Sequence, residues 1–306
     1  MSELYKDHRP KIFKNVIGQK AAVDSLNSLL FGDSFPSTLL FTGPSGCGKT
    51  TLARILQKKL DCGPRDFVEV NCADFRGIDM VRDIRGRMSL SPISGAKRIW
   101  LIDEAHQLTA TAQDAFLKML EDTPSHVHFF LATTDPQKLK KTIRTRSTEI
   151  AVKSLNSADL TELLYMVADK EGKELEEEVA ERIVKHSDGS ARKALVFLNQ
   201  VIDLKKVQDQ LNAINSSEIE KQGIELARAL LDTRSNWKKV AAILKSINED
   251  PESLRWMVLG YASNVMLSAG KSTARAFLLV DAFQDNFYDS KRAGLVAACY
   301  RVVVGE

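Results

Sequence analysis

The segment from Gly43 to Thr50 limits the possible folds of this chain more than any other, because it reads Gly-Pro-Ser-Gly-Cys-Gly-Lys-Thr. This sequence matches the phosphate-binding pattern G-x-x-x-x-G-K-[ST] at every fixed position. An apolar run of strand length, residues 38–42, precedes the segment, and apolar residues recur at helical spacing after it. Because the motif requires a strand before the loop and a helix after it, this context predicts a Walker A loop.

The Walker A loop predicts how a nucleotide is held. Glycines let the backbone wrap so that N–H groups point at the phosphates, and the loop leads into the positive end of a helix dipole. Lys49 then reaches the β- and γ-phosphates, and the Thr50 hydroxyl holds Mg²⁺. The alternative is a glycine-rich turn that matches the pattern by chance. The predicted nucleotide-binding residues of this segment are Gly43, Pro44, Ser45, Gly46, Cys47, Gly48, Lys49, Thr50 and Thr51.

A second motif lies further along the chain, where an apolar run beginning at Ile99 ends in Asp103 and Glu104. Asp103 at the end of a strand can bind Mg²⁺ through its water shell, and Glu104 can orient the water that attacks the γ-phosphate. An apolar strand that ends in Asp-Glu is common, so the pattern alone is weak. After a Walker A loop it indicates a Walker B strand, with Glu104 and Lys49 as catalytic residues and Thr50 and Asp103 as Mg²⁺ ligands.

Five apolar runs of strand length lie in the first half of the chain and alternate with helical patterns. They are residues 38–42, 67–71, 99–104, 128–132 and 149–152. Such alternation predicts an α/β fold with a five-stranded parallel sheet, whose active site lies at the carboxyl ends of the strands. From Ser154 onward the pattern is helical only.

Length and composition narrow the class of protein. The 306 residues exceed the size at which a single core stops growing, so two or three domains are expected. No apolar run has the length of a membrane span, and Met1–Lys6 lacks an apolar signal core. We therefore expect a cytoplasmic protein, in the host cytoplasm if the source is viral, with no membrane partner. The net charge of +3 is too small for polyanion binding by the whole surface, so DNA binding requires a local basic cluster.

Three further segments carry a resemblance to a known family. They are Leu101–His106 (LIDEAH), Ala115–Glu121 (AFLKMLE) and Phe130–Leu139 (FLATTDPQKL). Together with the two motifs they resemble the AAA+ ATPase subunits of sliding-clamp loaders, namely the bacterial gamma/tau subunit and the small subunits of replication factor C. The resemblance covers essentially the whole chain. Its opening, Tyr5–Gln19, resembles the adenine-side segment of the family, which implies that Val16 and Ile17 contact ATP.

The resemblance implies an architecture and a function. The fold would be an AAA+ P-loop ATPase domain at 1–153, a helical lid at 154–212 and an all-α collar at 213–306. The function would be ATP-dependent loading of a sliding clamp onto primer-template DNA, with other loader subunits in a pentameric assembly. One alternative is another AAA+ DNA motor, such as a Holliday-junction branch-migration ATPase. Another is a non-hydrolysing loader subunit, which would be expected to lose Lys49, Glu104 or Arg146.

The resemblance also assigns residues that sense or complete the ATP site. Thr134 would sense the γ-phosphate, with Thr133 as the alternative. Arg146 lies where the family carries Ser-Arg-Cys, so it would be the arginine finger that reaches into the ATP of a neighbouring subunit, with Arg144 as the competitor. The residues on both sides of Arg146 differ from the family motif. Arg192 matches the sensor 2 position, which contacts phosphates from the lid.

Two further expectations concern DNA and metals. The helix predicted within residues 76–87 carries Arg82 and Arg85 on one face, and with Arg76 they would contact DNA phosphates; the alternative is a solvated face with local ion pairs. The bacterial gamma/tau subunit carries a four-cysteine zinc module after Walker A, but a short segment, Asp61–Arg65, occupies that place here. The four cysteines also lack C-x-x-C spacing. The expected cofactors are therefore ATP and Mg²⁺, without zinc.

Overall fold

Residues 3–247, 250–268 and 273–304 are described by a computed structural model of the chain, apart from the side chains of residues 215–221. The chain divides into two compact units, Met1–Asp203 and Leu204–Glu306. The first unit contains a sheet with helices on both faces, and the second consists of helices. Each unit is described by itself.

The first unit is built on a five-stranded sheet in the order β2-β3-β4-β1-β5, in which every neighbouring pair is parallel. The strands are β1 (Thr38–Thr42), β2 (Phe67–Asn71), β3 (Arg98–Asp103), β4 (Val127–Thr133) and β5 (Thr148–Ala151). The predicted α/β fold with a five-stranded parallel sheet is confirmed. Because all five strands are parallel, the loops after β1 and β3 open on the same edge of the sheet.

Alternate residues of the central strands pack on opposite faces, which explains their continuous burial. Leu40 packs in one core with the helices at Ile78–Met88 and Ala110–Glu121. Leu39 and Phe41 pack in the other core with the helices at Lys20–Phe31 and Lys49–Lys59. The first six helices are α1 (Leu4–Asp7), α2 (Lys20–Phe31), α3 (Lys49–Lys59), α4 (Ile78–Met88), α5 (Ala110–Glu121) and α6 (Lys141–Thr145). Three 3₁₀ turns occupy Phe13–Asn15, Ala105–Gln107 and Pro136–Lys138.

Three helices complete the first unit and correspond to the predicted lid. They are α7 (Ser157–Lys170), α8 (Glu177–His186) and α9 (Ala191–Val201). The cap of the first of these helices is Asn156, whose side chain accepts a hydrogen bond from the N–H of Asp159 at 2.8 Å. Ser190 caps α9, since its hydroxyl accepts from the N–H of Lys193 at 3.3 Å.

The second unit contains five further helices, packed around a core of its own. They are α10 (Val207–Leu231), α11 (Trp237–Ser246), α12 (Pro251–Leu267), α13 (Thr273–Ala282) and α14 (Lys291–Val304). The boundary predicted between residues 212 and 213 lies inside α10, and the second compact unit begins at Leu204. The polar composition of residues 212–217 resembles a linker, but these residues continue the helix. The division into three functional domains stays a prediction.

A buried ion pair organises the loop between α4 and β3. Asp66 is fully buried, and its carboxylate accepts hydrogen bonds from the N–H groups of Ile93 and Ser94 at 2.8 and 2.7 Å. The guanidinium of Arg98 lies 2.9 Å from Asp66 Oδ1 and donates to the backbone carbonyls of Arg87, Leu90 and Ser91. Each charged group is therefore hydrogen-bonded to several partners, which is the condition under which a buried pair is tolerated.

All four cysteines are free thiols in buried positions. Cys47 lies in the Walker A loop, and burial raises the pKa of its thiol. Burial also raises the pKa of Cys62 to about 11 and of Cys72 and Cys299 to about 12. Within the part of the chain that the structure describes, no helix is long and apolar enough to span a membrane.

Candidate functional site

The Walker A loop connects β1 to α3 and depends on three glycines with positive φ, Gly43 at 141°, Gly46 at 75° and Gly48 at 111°. A side chain on Gly43 would place its Cβ 1.9 Å from the carbonyl oxygen of Val152. On Gly46 it would lie 2.1 Å from Ser190 Oγ. The backbone path and these close approaches therefore require glycine, and they leave the loop wrapped around the start of α3.

Lys49, the first residue of α3, is 6% exposed. Its ammonium donates hydrogen bonds to the backbone carbonyls of Gly43 and Pro44 at 2.7 and 2.9 Å. Burial lowers the pKa of Lys49, and the nearby carboxylates of Glu104 and Asp103 oppose that effect. The lysine is thus positioned inside the loop, where its charge is available to phosphate oxygens.

Thr50 and Asp103 bring the two motifs together at the sheet edge. The Thr50 hydroxyl donates to Asp103 Oδ2 across 3.2 Å, so α3 and the end of β3 are in direct contact. A hydroxyl and a carboxylate are oxygen ligands of the type that Mg²⁺ prefers, and Mg²⁺ usually keeps several waters and binds only one or two protein groups. The two residues therefore fit the predicted Mg²⁺ site.

Glu104 adopts a left-handed backbone conformation with φ 51°, directly after β3. Its N–H donates to Asp103 Oδ1 at 2.9 Å. Its Oε2 lies 3.3 Å from His106 Nδ1 but makes no hydrogen bond. The same His106 nitrogen lies 3.2 Å from the hydroxyl of Thr133 at the end of β4. The carboxylate that is predicted to orient water is thus free to accept a hydrogen bond.

These residues line one wall of a cleft in the first unit, which encloses about 970 Å³ of empty space including its open mouth. Three groups line it. The Walker residues are Ser45, Gly46, Cys47, Gly48, Lys49, Thr50, Thr51, Asp103 and Glu104; the N-terminal residues are Tyr5, His8, Arg9, Pro10, Asn15, Val16 and Ile17; the residues at and beyond the lid are Leu155, Leu163, Ala191, Arg192 and Leu195. The cleft brings Val16, Ile17 and Arg192 together with both motifs. Gly43 and Pro44 contribute through their carbonyls on Lys49.

Arg192 lies in the first turn of α9 and faces the cleft. Its backbone N–H donates to the Gly46 carbonyl at 3.2 Å, and its guanidinium lies 5.8 Å from the centre of the Tyr5 ring. The Walker A loop, the lid and the N-terminal segment therefore meet at this residue.

Gln19 is a buried residue of the site that motif analysis does not detect. Its side-chain amide donates to the carbonyls of Lys153 at 2.6 Å and Cys47 at 3.4 Å, and accepts from the Lys153 N–H at 3.1 Å. Gln19 thus ties the N-terminal segment, the Walker A loop and the start of the lid to one another. A lone glutamine in an aperiodic segment gives no signal that would identify this role. His106 was also not assigned from the sequence.

The remaining predicted residues lie outside this cleft. Thr134 is exposed directly after β4. Thr133 is fully buried, and its hydroxyl lies within hydrogen-bonding distance of His106 Nδ1. Arg146 caps the end of α6, and its guanidinium forms an ion pair with Glu121 at 2.7 Å. Arg144 donates to the side chain of Gln137 at 3.2 Å. Neither arginine is placed to act on the nucleotide cleft of its own chain.

The predicted DNA-binding arginines, Arg76, Arg82 and Arg85, are exposed on or just before α4. Arg82 forms an ion pair with Asp79 at 3.1 Å, as the solvated-face alternative expects. Arg76 and Arg85 form no side-chain hydrogen bond or ion pair with the described residues. The helix buries Val81 and Ile84, so the arginines face away from the core.

In residues 3–247, 250–268 and 273–304, no cluster of three or more His, Cys, Asp or Glu side chains is placed to hold a metal ion. The predicted absence of zinc stays a prediction. The predicted Mg²⁺ site at Asp103 and Thr50 does not need such a cluster, because Mg²⁺ takes its other ligands from water and phosphates.

Residues 39–155 match the family described as ATPase family associated with various cellular activities, AAA. Solved structures of RuvB from Thermotoga maritima, including the Holliday junction branch migration motor, share the fold. Their TM-scores are 0.57 to 0.61 at 22–24% identity, over 78–80% of this chain and 83–86% of theirs. At that identity the likeness supports the fold alone.

Two relatives carry more information. The chain is 32% identical over 298 residues to the DNA polymerase III subunit tau of Bacillus subtilis, and the matched region covers 86% of this chain and 51% of the relative. It thus spans about half the length of that protein. It is 30% identical to the DNA polymerase III subunit gamma of Buchnera aphidicola, over 80% of this chain and 74% of the relative. With an AAA ATPase domain and this shared extent, the chain belongs to the gamma/tau subunit family of DNA polymerase III.

Proposed function

We propose that this chain is an ATP-hydrolysing subunit of a sliding-clamp loader, which opens a clamp and places it on primer-template DNA. One observation carries the proposal. The cleft gathers Lys49, Thr50, Asp103 and Glu104, whereas Arg146 lies exposed outside it. An ATP site without the arginine finger of its own chain is suited to hydrolysis at an interface, where the neighbouring subunit supplies that arginine.

The residues of the cleft have distinct roles in the proposed reaction. Bound Mg²⁺ would neutralise charge on the phosphates, held by Thr50 and Asp103. Lys49 would exchange its two carbonyl partners for phosphate oxygens, and Glu104 would accept a hydrogen bond from the attacking water. Arg192 would contact the phosphates from the lid. Thr134 would sense the γ-phosphate, and Thr133 is the alternative because it ends β4 beside His106.

The proposed partners are other loader subunits in a pentameric assembly, the sliding clamp and primer-template DNA. The second unit would be the collar that holds subunits together. In support, it carries large apolar side chains on its surface: Trp256, Leu267, Phe277, Leu278 and Tyr288 are each more than half exposed. Exposed apolar groups of this size commonly mark contacts between proteins. DNA would be contacted by Arg76, Arg82 and Arg85 through phosphates, without sequence preference.

The shared-site mechanism is tested by mixing two inactive variants, Arg146→Ala and Lys49→Ala. In a head-to-tail assembly, some interfaces then combine an intact Walker A loop from the first variant with an intact Arg146 from the second. ATP turnover should return in part when the two are mixed, although each alone is inactive. No recovery in assemblies that contain both variants would contradict hydrolysis at shared interfaces. Stimulation of the wild-type rate by clamp and primer-template DNA would link that hydrolysis to loading.

A further inference from the structure

Glu104, the predicted catalytic carboxylate, has one oxygen atom without a hydrogen-bond partner. This atom, Oε2, is shielded from solvent and makes no hydrogen bond with any residue that the structure describes. A carboxylate oxygen that is buried without a donor is unfavourable, and proteins keep few of them. The donor that lies beside it is Nδ1 of His106, 3.3 Å away, on a side chain that is 9% exposed. A small movement of either side chain would therefore complete a hydrogen bond.

The ring of His106 carries its proton on the side of Glu104. Its other nitrogen, Nε2, lies 3.1 Å from the side-chain amide nitrogen of Gln107. An amide nitrogen only donates, so Nε2 of the neutral ring accepts and the ring proton lies on Nδ1. Nδ1 is also 3.2 Å from the hydroxyl of Thr133. The Nδ1–H group thus lies between two acceptors, the Thr133 hydroxyl and Glu104 Oε2.

The backbone around His106 is anchored on both sides. His106 lies in the 3₁₀ turn after β3, where the N–H of Gln107 donates to the Glu104 carbonyl at 2.8 Å. Ala105 and Leu108, which flank His106 and Gln107, are buried in one core of the first unit. The contacts of His106 are therefore changed most easily by rotation of its own side chain.

The second acceptor, Thr133, connects His106 to the Walker A loop. Thr133 is fully buried at the end of β4, and its hydroxyl accepts a hydrogen bond from the N–H of Asp135 at 3.1 Å. Its carbonyl accepts from the N–H of Gly43, the first residue of the Walker A loop, at 3.2 Å. His106 thus lies between Glu104 and a residue that is bonded directly to the phosphate-binding loop.

We propose that His106 is a positioning residue for Glu104 in ATP hydrolysis. Its Nδ1–H turns from the Thr133 hydroxyl toward Glu104 Oε2 and holds that oxygen, which leaves Oε1 to accept a hydrogen bond from the attacking water. His106 is not among the residues that line the cleft, so it acts through Glu104. The inference rests on the proposed ATP hydrolysis and adds the residue that fixes the direction of the carboxylate.

The kinetic test compares ATP hydrolysis by assemblies of the full chain with hydrolysis by the variants His106→Leu and His106→Asn. Leucine has no donor, whereas the amide of asparagine can donate from close to the position of Nδ1. We expect His106→Leu to lower kcat by about tenfold to a hundredfold, the usual effect of a misplaced catalytic group. Its ATP affinity, measured by titration calorimetry, should stay within about twofold of wild type because the Walker A loop is unchanged. His106→Asn should keep most of the rate.

His126→Leu is the matched control. His126 directly precedes β4, at the end of that strand opposite Thr133, and its Nε2 lies 3.1 Å from the carbonyl of Leu90. This variant should hydrolyse ATP at the wild-type rate. Equal loss of kcat in His106→Leu and His106→Asn would overturn the inference, because the shape of the ring would then matter and not its donor. Unchanged kcat in His106→Leu, or a matching loss of ATP affinity, would also overturn it.

Nitrogen-15 NMR of the histidine rings tests the inference without turnover. The chain has five histidines, and the signals that disappear in His106→Asn identify those of His106. We expect the wild-type ring to carry a proton on Nδ1, and a ring without that proton would overturn the inference. If the wild-type assembly bound ATP but did not hydrolyse it, the proposed function would fail instead, and the NMR signals would still show whether His106 is a donor toward Glu104.

Discussion

Arg146 Nη2 lies 2.7 Å from Glu121 Oε1, in an ion pair that links the end of α6 to the last residue of α5. The two side chains are 43% and 54% exposed. An exposed pair of this kind stabilises a protein by no more than about 1 kcal/mol. Glu121 can therefore hold the guanidinium on the surface and still release it to the phosphates of a neighbouring subunit.

Removing Arg146 should affect turnover but not the binding of ATP. Because Arg146 lies outside its own cleft, Arg146→Ala should leave the ATP affinity of the isolated chain within about twofold of wild type. Turnover in the assembly should fall by about a thousandfold, the usual contribution of an arginine finger supplied in trans. Glu121→Gln is the matched control, and it should change turnover by less than about fivefold. Isolated chains that hydrolyse ATP as fast as the assembly would contradict this prediction.

Lys49 and Glu104 should separate nucleotide binding from hydrolysis. Lys49→Ala removes the buried ammonium, which in the proposed mechanism gives up its two carbonyl partners and binds phosphate oxygens. ATP binding should therefore be lost. Glu104→Gln keeps the size of the side chain and lies outside the Walker A loop. It should therefore preserve ATP affinity and stop hydrolysis, because the amide cannot orient and polarise water as the carboxylate does. Single-turnover assays check both variants, and normal hydrolysis by Glu104→Gln would refute the catalytic assignment.

The buried pair of Asp66 and Arg98 should dominate the stability of its loop. Arg98→Met leaves the carboxylate of Asp66 buried without its charged partner, which should lower the free energy of unfolding by about 3–5 kcal/mol. The control is Lys20→Met, which breaks an exposed pair with Asp24 and should cost less than about 1 kcal/mol. Urea denaturation measures both. An equal decrease in the free energy of unfolding in the two variants would mean that burial adds little to the stabilisation by the ion pair.

Asp66 should also make stability depend on pH in the acid range. Burial alone would raise the pKa of Asp66, but hydrogen bonds from Ile93, Ser94 and Arg98 outweigh it and hold the pKa below its usual value of 3.8. The stabilisation is therefore fully present above the unfolded-state pKa and is lost as pH falls through the lower folded-state pKa. Unfolding of the wild type at pH 6 and at pH 3 measures this loss, and Asp66→Asn should lose less between the two pH values.

The arginines of α4 should differ in their contribution to DNA binding. Arg85 forms no ion pair with the described residues, whereas Arg82 forms an ion pair with Asp79. Arg85→Ala should therefore weaken DNA binding more than Arg82→Ala does. Each lost phosphate contact should lower the slope of log affinity against log salt by about one, equally for all sequences. Arg65→Ala removes an exposed arginine elsewhere in the first unit and serves as the control. Salt slopes that match wild type in the Arg82 and Arg85 double variant would favour the solvated-face alternative.

Local patterns in the sequence predicted the sheet and the two motifs, because strand period and loop chemistry are properties of adjacent residues. The contacts of Gln19 could not be predicted, since they depend on segments far apart in the chain that meet at the cleft. His106 likewise acquires its position from the neighbouring strand through Thr133. The boundary predicted between residues 212 and 213 falls inside α10, because the polar surface of a long helix and a linker have the same composition.

The buried thiols allow the unfolding of each unit to be followed by the reaction of its own cysteine. Thiolates are the reactive form, so buried groups such as Cys72 and Cys299, whose pKa is raised to about 12, are protected from alkylation while the chain is folded. Cys72 lies in a core of the first unit and Cys299 in that of the second. A brief pulse of a maleimide, followed by peptide mass spectrometry, would therefore time the unfolding of the sheet and of the helical unit separately, without any introduced label.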